Sequence, residues 1–155
     1  MKVYDAVKGF QTHNFVGHHN IVLTLMFIPA KDSLRLVTAG EDLVIKIWDL
    51  VINKEVFSLK GAQARITSIV FSRDNKTMIV GDKDGKVAFY SVADGFRQIA
   101  IMDACKDMGV PGEAIEINTM CFVTVAKHQY LMLGTNSGQI AVVDLHTQKV
   151  CYLED

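Results

Sequence analysis

The chain has 155 residues, half of them apolar and 21% charged, with a formal net charge of −1. Such a composition builds a folded core and is not that of a disordered chain. It lacks the basic surplus that holds phosphate without regard to sequence, and no Lys/Arg run marks a basic patch.

The N-terminal "MKVYDAVKGF" has no apolar stretch of the kind a secretory leader needs. "KVYDAV" (2–7) and "THNFVGH" (12–18) read as two strands. "IVLTLMFI" (21–28) is almost continuously apolar, as expected of a strand buried on both faces, and too short to span a bilayer. "LRLVTAG" (34–40), "LVIKIWDL" (43–50) and "EVFSLKG" (55–61) follow across short connections, which predicts an antiparallel meander.

The order then repeats. "RITSIVFS" (65–72), "KTMIVGD" (76–82), "KVAFYSV" (86–92) and "FRQIAIM" (96–102) match the first four runs in turn. "IEINTMCFVTV" (115–125), "YLMLGTN" (130–136), "QIAVVDL" (139–145) and "KVCYLED" (149–155) form a third set. The third strands of successive units end at Asp5, Asp49, Ser91 and Asp144, at intervals of 44, 42 and 53 residues. The first two intervals match the repeat of about 40–45 residues of a four-stranded propeller blade. The excess in the third falls in "DACKDMGVPGEA" (103–114), whose Gly109, Pro111 and Gly112 mark a looped insertion.

The reading is an all-β chain, a partial β-propeller of about 3.5 four-stranded antiparallel blades. Residues 1–18 supply the last two strands of a preceding blade. Residues 19–61, 62–104 and 105–155 supply three blades, the last with the insertion at 103–114. Propellers have about 4–8 blades. Three and a half do not close, so the chain is expected to be part of a larger protein or a truncated product.

"GHHNIV" (17–22) opening a unit and "TAGEDLVIKIWDL" (38–50) closing its third strand resemble the WD-repeat family. That resemblance implies a hydrogen-bonded tetrad of His18, Thr38, Asp42 and Trp48. Physically, a buried imidazole, hydroxyl, carboxylate and indole N–H each need a partner, and these four can satisfy one another. The later units depart from the pattern. Ala62 and Tyr90 stand where His18 and Trp48 stand, with Asp84 retained, and the third set has Val143-Asp144 with Ser137 in its turn.

Within the family, "THNFVGHHNIV" (12–22), residues 66–92 and "GEAIEIN" (112–118) resemble the first propeller of the transducin-β-like WD subunits of the small-subunit processome, of the UTP-B subcomplex. The resemblance implies a non-catalytic interaction scaffold in the nucleolus, acting in pre-18S rRNA processing and ribosome biogenesis. Its partners would be other protein subunits of a large ribonucleoprotein assembly. Small nucleolar RNA and pre-rRNA would be met indirectly, and neither a membrane nor a small-molecule substrate would be involved. The alternative keeps the scaffold but changes the complex, to a WD adaptor of a ubiquitin ligase or a vesicle coat, with a cytoplasmic location.

"GDKDGKV" (81–87) fails as an EF-hand, since with Gly85 at loop position 6 the first and twelfth places fall on Val80 and Ser91. It reads as a hairpin turn. His13, His18 and His19 lack a neighbouring carboxylate or Cys to complete a metal site and read as one tetrad member and two surface residues. His128 and His146 read as solvated. Cys105, Cys121 and Cys151 form no C-x-x-C pair and read as buried free thiols in a reducing, intracellular setting. No catalytic, cofactor or metal motif is present, and the innermost strands offer almost no polar residue for a channel-borne enzyme site. The second-to-third-strand turns and the connectors between units share one face of a propeller. That face is expected to carry His19, Asn20, Glu41, Gln63, Arg65, Lys83 and Asn136 as candidate partner-facing residues.

Overall fold

A computed structural model describes residues 1–29, 33–104, 115–147 and 149–152. Among them the β-branched and aromatic runs form fourteen strands. β1 (Lys2–Tyr4) and β2 (Gln11–Asn14) make a two-stranded sheet. β3 (Val22–Ile28), β4 (Arg35–Gly40), β5 (Val44–Asp49) and β6 (Lys54–Lys60) make the first four-stranded sheet. β7 (Ile66–Phe71) to β10 (Arg97–Asp103) make the second, through β8 (Thr77–Asp82) and β9 (Lys86–Ser91). β11 (Ile117–Val125), β12 (His128–Thr135), β13 (Ile140–Asp144) and β14 (Lys149–Tyr152) make the third. Strands pair antiparallel in chain order within each sheet. β7 lies against both β3 and β11, so the three full sheets are successive blades of a partial propeller with their first strands innermost. No helix among the described residues is long and apolar enough to cross a membrane. Residues 105–114 of the predicted insertion lie outside the described residues.

The core sits between blades. Val37, Ala39, Ile45 and Ile47 of the first blade pack on Ile69, Phe71, Met78 and Val80 of the second. On its opposite face the second blade sets Val70, Ile79 and Val87 against Met120, Leu131, Leu133 and Val143 of the third. The two-residue alternation of β7 thus sends Ile69 backward and Val70 forward, each into a separate apolar layer. Two polar bonds cross the second interface. Ser68 Oγ accepts from the Met120 N–H at 3.0 Å, and Thr67 Oγ1 donates to the Ile117 carbonyl.

β3 overturns its sequence reading. Leu25 is 58% exposed and Phe27 52%, although a strand buried on both faces was expected. The leading unit contributes only β1 and β2, and its Phe15 covers the outer part of the first blade at Leu36, Trp48 and Leu50. No described strand lies over the inner part. The thiol of Cys121 is likewise exposed rather than buried. It occupies the forward face of β11, where Val70 of β7 is covered by the third blade. Cys105 and the Cys151 side chain lie outside the described residues.

The turns between second and third strands use a left-handed residue at one repeated place, Leu43 (φ 60°), Gly85 (φ 76°) and Gly138 (φ 81°). Leucine is strained there and glycine is not. Leu43→Gly is therefore expected to raise the unfolding free energy by about 0.5–1 kcal/mol in urea denaturation, after offsetting the greater unfolded-state freedom of glycine.

Candidate functional site

The first blade brings His18, Thr38, Asp42 and Trp48 together. Trp48 Nε1 donates to Thr38 Oγ1 at 2.8 Å, and Thr38 Oγ1 lies 2.6 Å from His18 Nε2. His18 Nδ1 lies 2.7 Å from Asp42 Oδ2. A single direction satisfies every group. The indole gives its proton to the hydroxyl, the hydroxyl gives its own to Nε2 of a neutral imidazole, and Nδ1–H donates to the carboxylate. A doubly protonated ring would present Nε2–H to Thr38 Oγ1, leaving that buried hydroxyl no acceptor within the chain of bonds. Asp42 also accepts the N–H of His19 at 3.2 Å and of Val44 at 3.4 Å, so the network fixes both the blade entry and the β4–β5 turn.

Trp48 is wedged from several sides. Phe15 lies at 5.0 Å between ring centroids, and Lys46 Nζ, held by Glu55 at 2.7 Å, sits 5.8 Å over the indole. A Cβ on Gly17 would stand 3.0 Å from the indole, so close approach of Trp48 requires the glycine that precedes His18. His13 is no solvated surface residue. Its Nε2 lies 2.8 Å from the Leu50 carbonyl oxygen and its ring stacks on Phe15. The metal reading gains nothing from this, since among the described residues no three His, Cys, Asp or Glu side chains are grouped to hold an ion.

The aspartate that ends three of the four third strands has a separate task. Oδ1 of Asp5, Asp49 and Asp144 each accepts two backbone N–H groups of the following turn. Ser91 holds its turn differently, its Oγ accepting the Asp94 N–H at 3.4 Å and donating to the Asp94 carboxylate at 2.8 Å. Hence the acid recurs in units that have lost the tryptophan.

The predicted interaction face is partly engaged with itself. Arg65 reaches Glu41 and Glu116 at 3.5 Å each, and Lys83 reaches Glu116 at 3.0 Å. This ladder joins the turns and connectors of all three full blades. Half-exposed pairs of this kind add little stability, so orientation of the loops is their main effect. His19, Asn20, Gln63 and Asn136 are exposed on the same rim. Gln63 accepts from Lys86 Nζ at 3.1 Å, and Asn136 Oδ1 accepts the Glu116 N–H at 2.9 Å. Sequence reasoning missed Glu116. It precedes β11 as Arg65 precedes β7, so the repeat alignment carried the signal.

Two kinds of aspartate differ in their titration. Burial pushes Asp42 up, but the bonds from the His18 ring and the His19 N–H outweigh it and hold the carboxyl low. The Arg35 bond holds Asp49 low, and the His146 and Thr147 N–H groups do so for Asp144. Asp82 goes the other way, raised by burial against the pull of the Lys86 and Asp84 N–H groups. The depressed acids stabilise the fold above their ordinary value of 3.8 and cease to do so as pH falls through their lower folded values. Asp82 contributes with the opposite sign, favouring the fold when protonated. Urea midpoints measured from pH 6 downward should hold until about pH 4 and then decline, with a shallower decline in Asp42→Asn and Asp49→Asn.

The family model described as WD domain, G-beta repeat matches residues 9–49 and 53–91. Each match runs from the last strand of one sheet through the first three strands of the next. Denticleless protein homolog of Xenopus tropicalis is 25% identical over all of this chain and 25% of its own length. Denticleless protein homolog of Homo sapiens is 32% identical over 91% of this chain and 22% of its own length. Transducin beta-like protein 3 of Bos taurus is 30% identical over 54% of this chain and 10% of its own length. The chain thus spans a quarter or less of each of these three relatives.

Proposed function

The chain belongs to the WD-repeat family, and on that premise we propose that it serves as a non-catalytic scaffold of the small-subunit processome, in pre-18S rRNA processing. One observation carries the scaffold reading. Three blades packed through continuous cores hold turns and connectors on one rim, where Arg65, Glu41, Lys83 and Glu116 fix those loops relative to one another. A rigid body presenting ordered loops is suited to docking other proteins. Its partners would be further subunits of a ribonucleoprotein particle, with RNA reached through them. The processome assignment is supported by the likeness to Transducin beta-like protein 3, the kind of WD subunit that the sequence motifs resemble. It implies a nuclear, nucleolar location.

A second reading is an adaptor in a different complex, such as a ubiquitin ligase or a vesicle coat. It is favoured by the Denticleless homologues, which align over 91% and 100% of the chain where the transducin-like match covers 54%. Affinity purification of the full-length protein from nuclear and cytoplasmic extracts decides between them. Processome subunits with small nucleolar RNA are expected. Recovery of ligase or coat subunits without that RNA would replace the first reading with the second.

A further inference from the structure

The second blade contains a cavity of about 470 Å³ in the place where the first blade holds its polar network. The register of the two sheets sets Val80 at the position of Thr38, Ala88 at Lys46, Tyr90 at Trp48 and Gln98 at Glu55, and the repeat in the sequence sets Gly61-Ala62 at Gly17-His18. In the first blade those side chains fill the space. A Cβ built on Gly17 would meet Trp48, Glu55 and Lys46, whereas one built on the equivalent Gly61 would meet nothing within 4 Å. The second blade therefore lacks the imidazole and the Lys46–Glu55 ion pair of the first, and a cavity stands in their place.

What remains is rich in acceptors. Asp82 stands where the first blade has Gly40, and it is buried in the cavity wall. Both backbone bonds it accepts, from Asp84 at 3.0 Å and Lys86 at 2.9 Å, fall on Oδ1. The Tyr90 ring, the Gln63 and Gln98 amides and the Asp103 carboxyl complete the polar lining. Lys86 is the one ammonium in that lining, and its Nζ turns to Gln63. Gly61, Gln63 and Gln98 are exposed at the mouth, while Ile66, Val80 and Asp82 are buried at the floor.

We propose that this cavity is a socket for an arginine side chain of a partner protein, seated on Tyr90 with its guanidinium on Asp82. The charge out of balance is a carboxylate: Lys46, which lies over the Trp48 ring, and its partner Glu55 are replaced together by Ala88 and Gln98, whereas Asp82 is an added acid where the first blade has Gly40. A planar guanidinium with several donors fits acceptors spread between two carboxylates, a phenol and two amides better than an ammonium does. Stacking over the phenol ring adds a cation–π contact. The socket opens on the rim used by the scaffold reading, and it rests on that reading only in that the arginine belongs to a protein.

The test uses this chain and a synthetic probe, so its outcome is independent of which complex is recovered in purification. Backbone amide NMR would follow titration with acetyl-Gly-Arg-Gly-amide and with its citrulline counterpart. Saturable shifts centred on Gly61, Gln63 and Tyr90 are expected for the arginine peptide and not for citrulline. Asp82→Asn keeps the Oδ1 acceptor and should weaken binding about tenfold or more. Ala88→Lys restores the lysine of the first blade and should abolish binding. If Asp82→Asn does not fold, Ala88→Lys alone decides. Equal binding of citrulline, no binding of arginine, or full binding by Ala88→Lys overturns the proposal.

Discussion

Trp48→Ala should lower the unfolding free energy by about 3–5 kcal/mol, followed by far-UV circular dichroism because the substitution removes the only tryptophan. Two losses combine. The indole is 2% exposed and packs against Phe15, Leu36 and Leu50, so its removal opens a cavity at the joint with the half-blade. The buried Thr38 hydroxyl also loses its donor. Trp48→Phe separates these effects by keeping most of the apolar volume, and it should cost about 1–2 kcal/mol. A double-mutant cycle of Trp48→Phe with Thr38→Val should show coupling of about 0.5–3 kcal/mol, since the two groups share one hydrogen bond. A cost below about 1 kcal/mol for Trp48→Ala would mean that the blade does not lean on its network.

That network was legible in the sequence because its four members are chemically distinctive and fall at fixed places in a repeat. The strand order was legible for a similar reason: apolar runs and turn residues recur at nearly constant spacing. Burial was not. "IVLTLMFI" and "RITSIVFS" are alike in pattern, yet Leu25 is exposed and Ile69 is not, because exposure depends on what lies on the neighbouring blade. A local pattern cannot report on that neighbour. The ion-pair ladder was half legible. Arg65, Glu41 and Lys83 fall on one face by their places in the repeat, but their partner Glu116 shows its role only once the third blade stands beside the second. The vacant slot under Gly61 was hidden for the same reason, since the substitutions that empty it lie on three strands and a connector.

The repeat supplies a controlled comparison for the uncovered flank. Leu25, Ile69 and Met120 occupy one position in three blades, each opposite the third-last residue of its second strand, Thr38, Val80 and Leu133. Ile69 is 3% exposed and Met120 is 6% exposed, each covered by the blade before it, whereas Leu25 is 58% exposed. Ile69→Ala should therefore cost about 2–5 kcal/mol in urea denaturation of this chain. Leu25→Ala should stay within about 0.5 kcal/mol, as surface changes do. Leu25 and Phe27 together present an apolar surface of the kind that drives association, so Leu25→Lys with Phe27→Lys should also lower the concentration-dependent light scattering of the chain. Equal costs for Leu25→Ala and Ile69→Ala would mean that the flank is covered in solution. The light-scattering mass would then show whether a second copy provides the cover, and a monomeric mass would overturn the exposed flank itself.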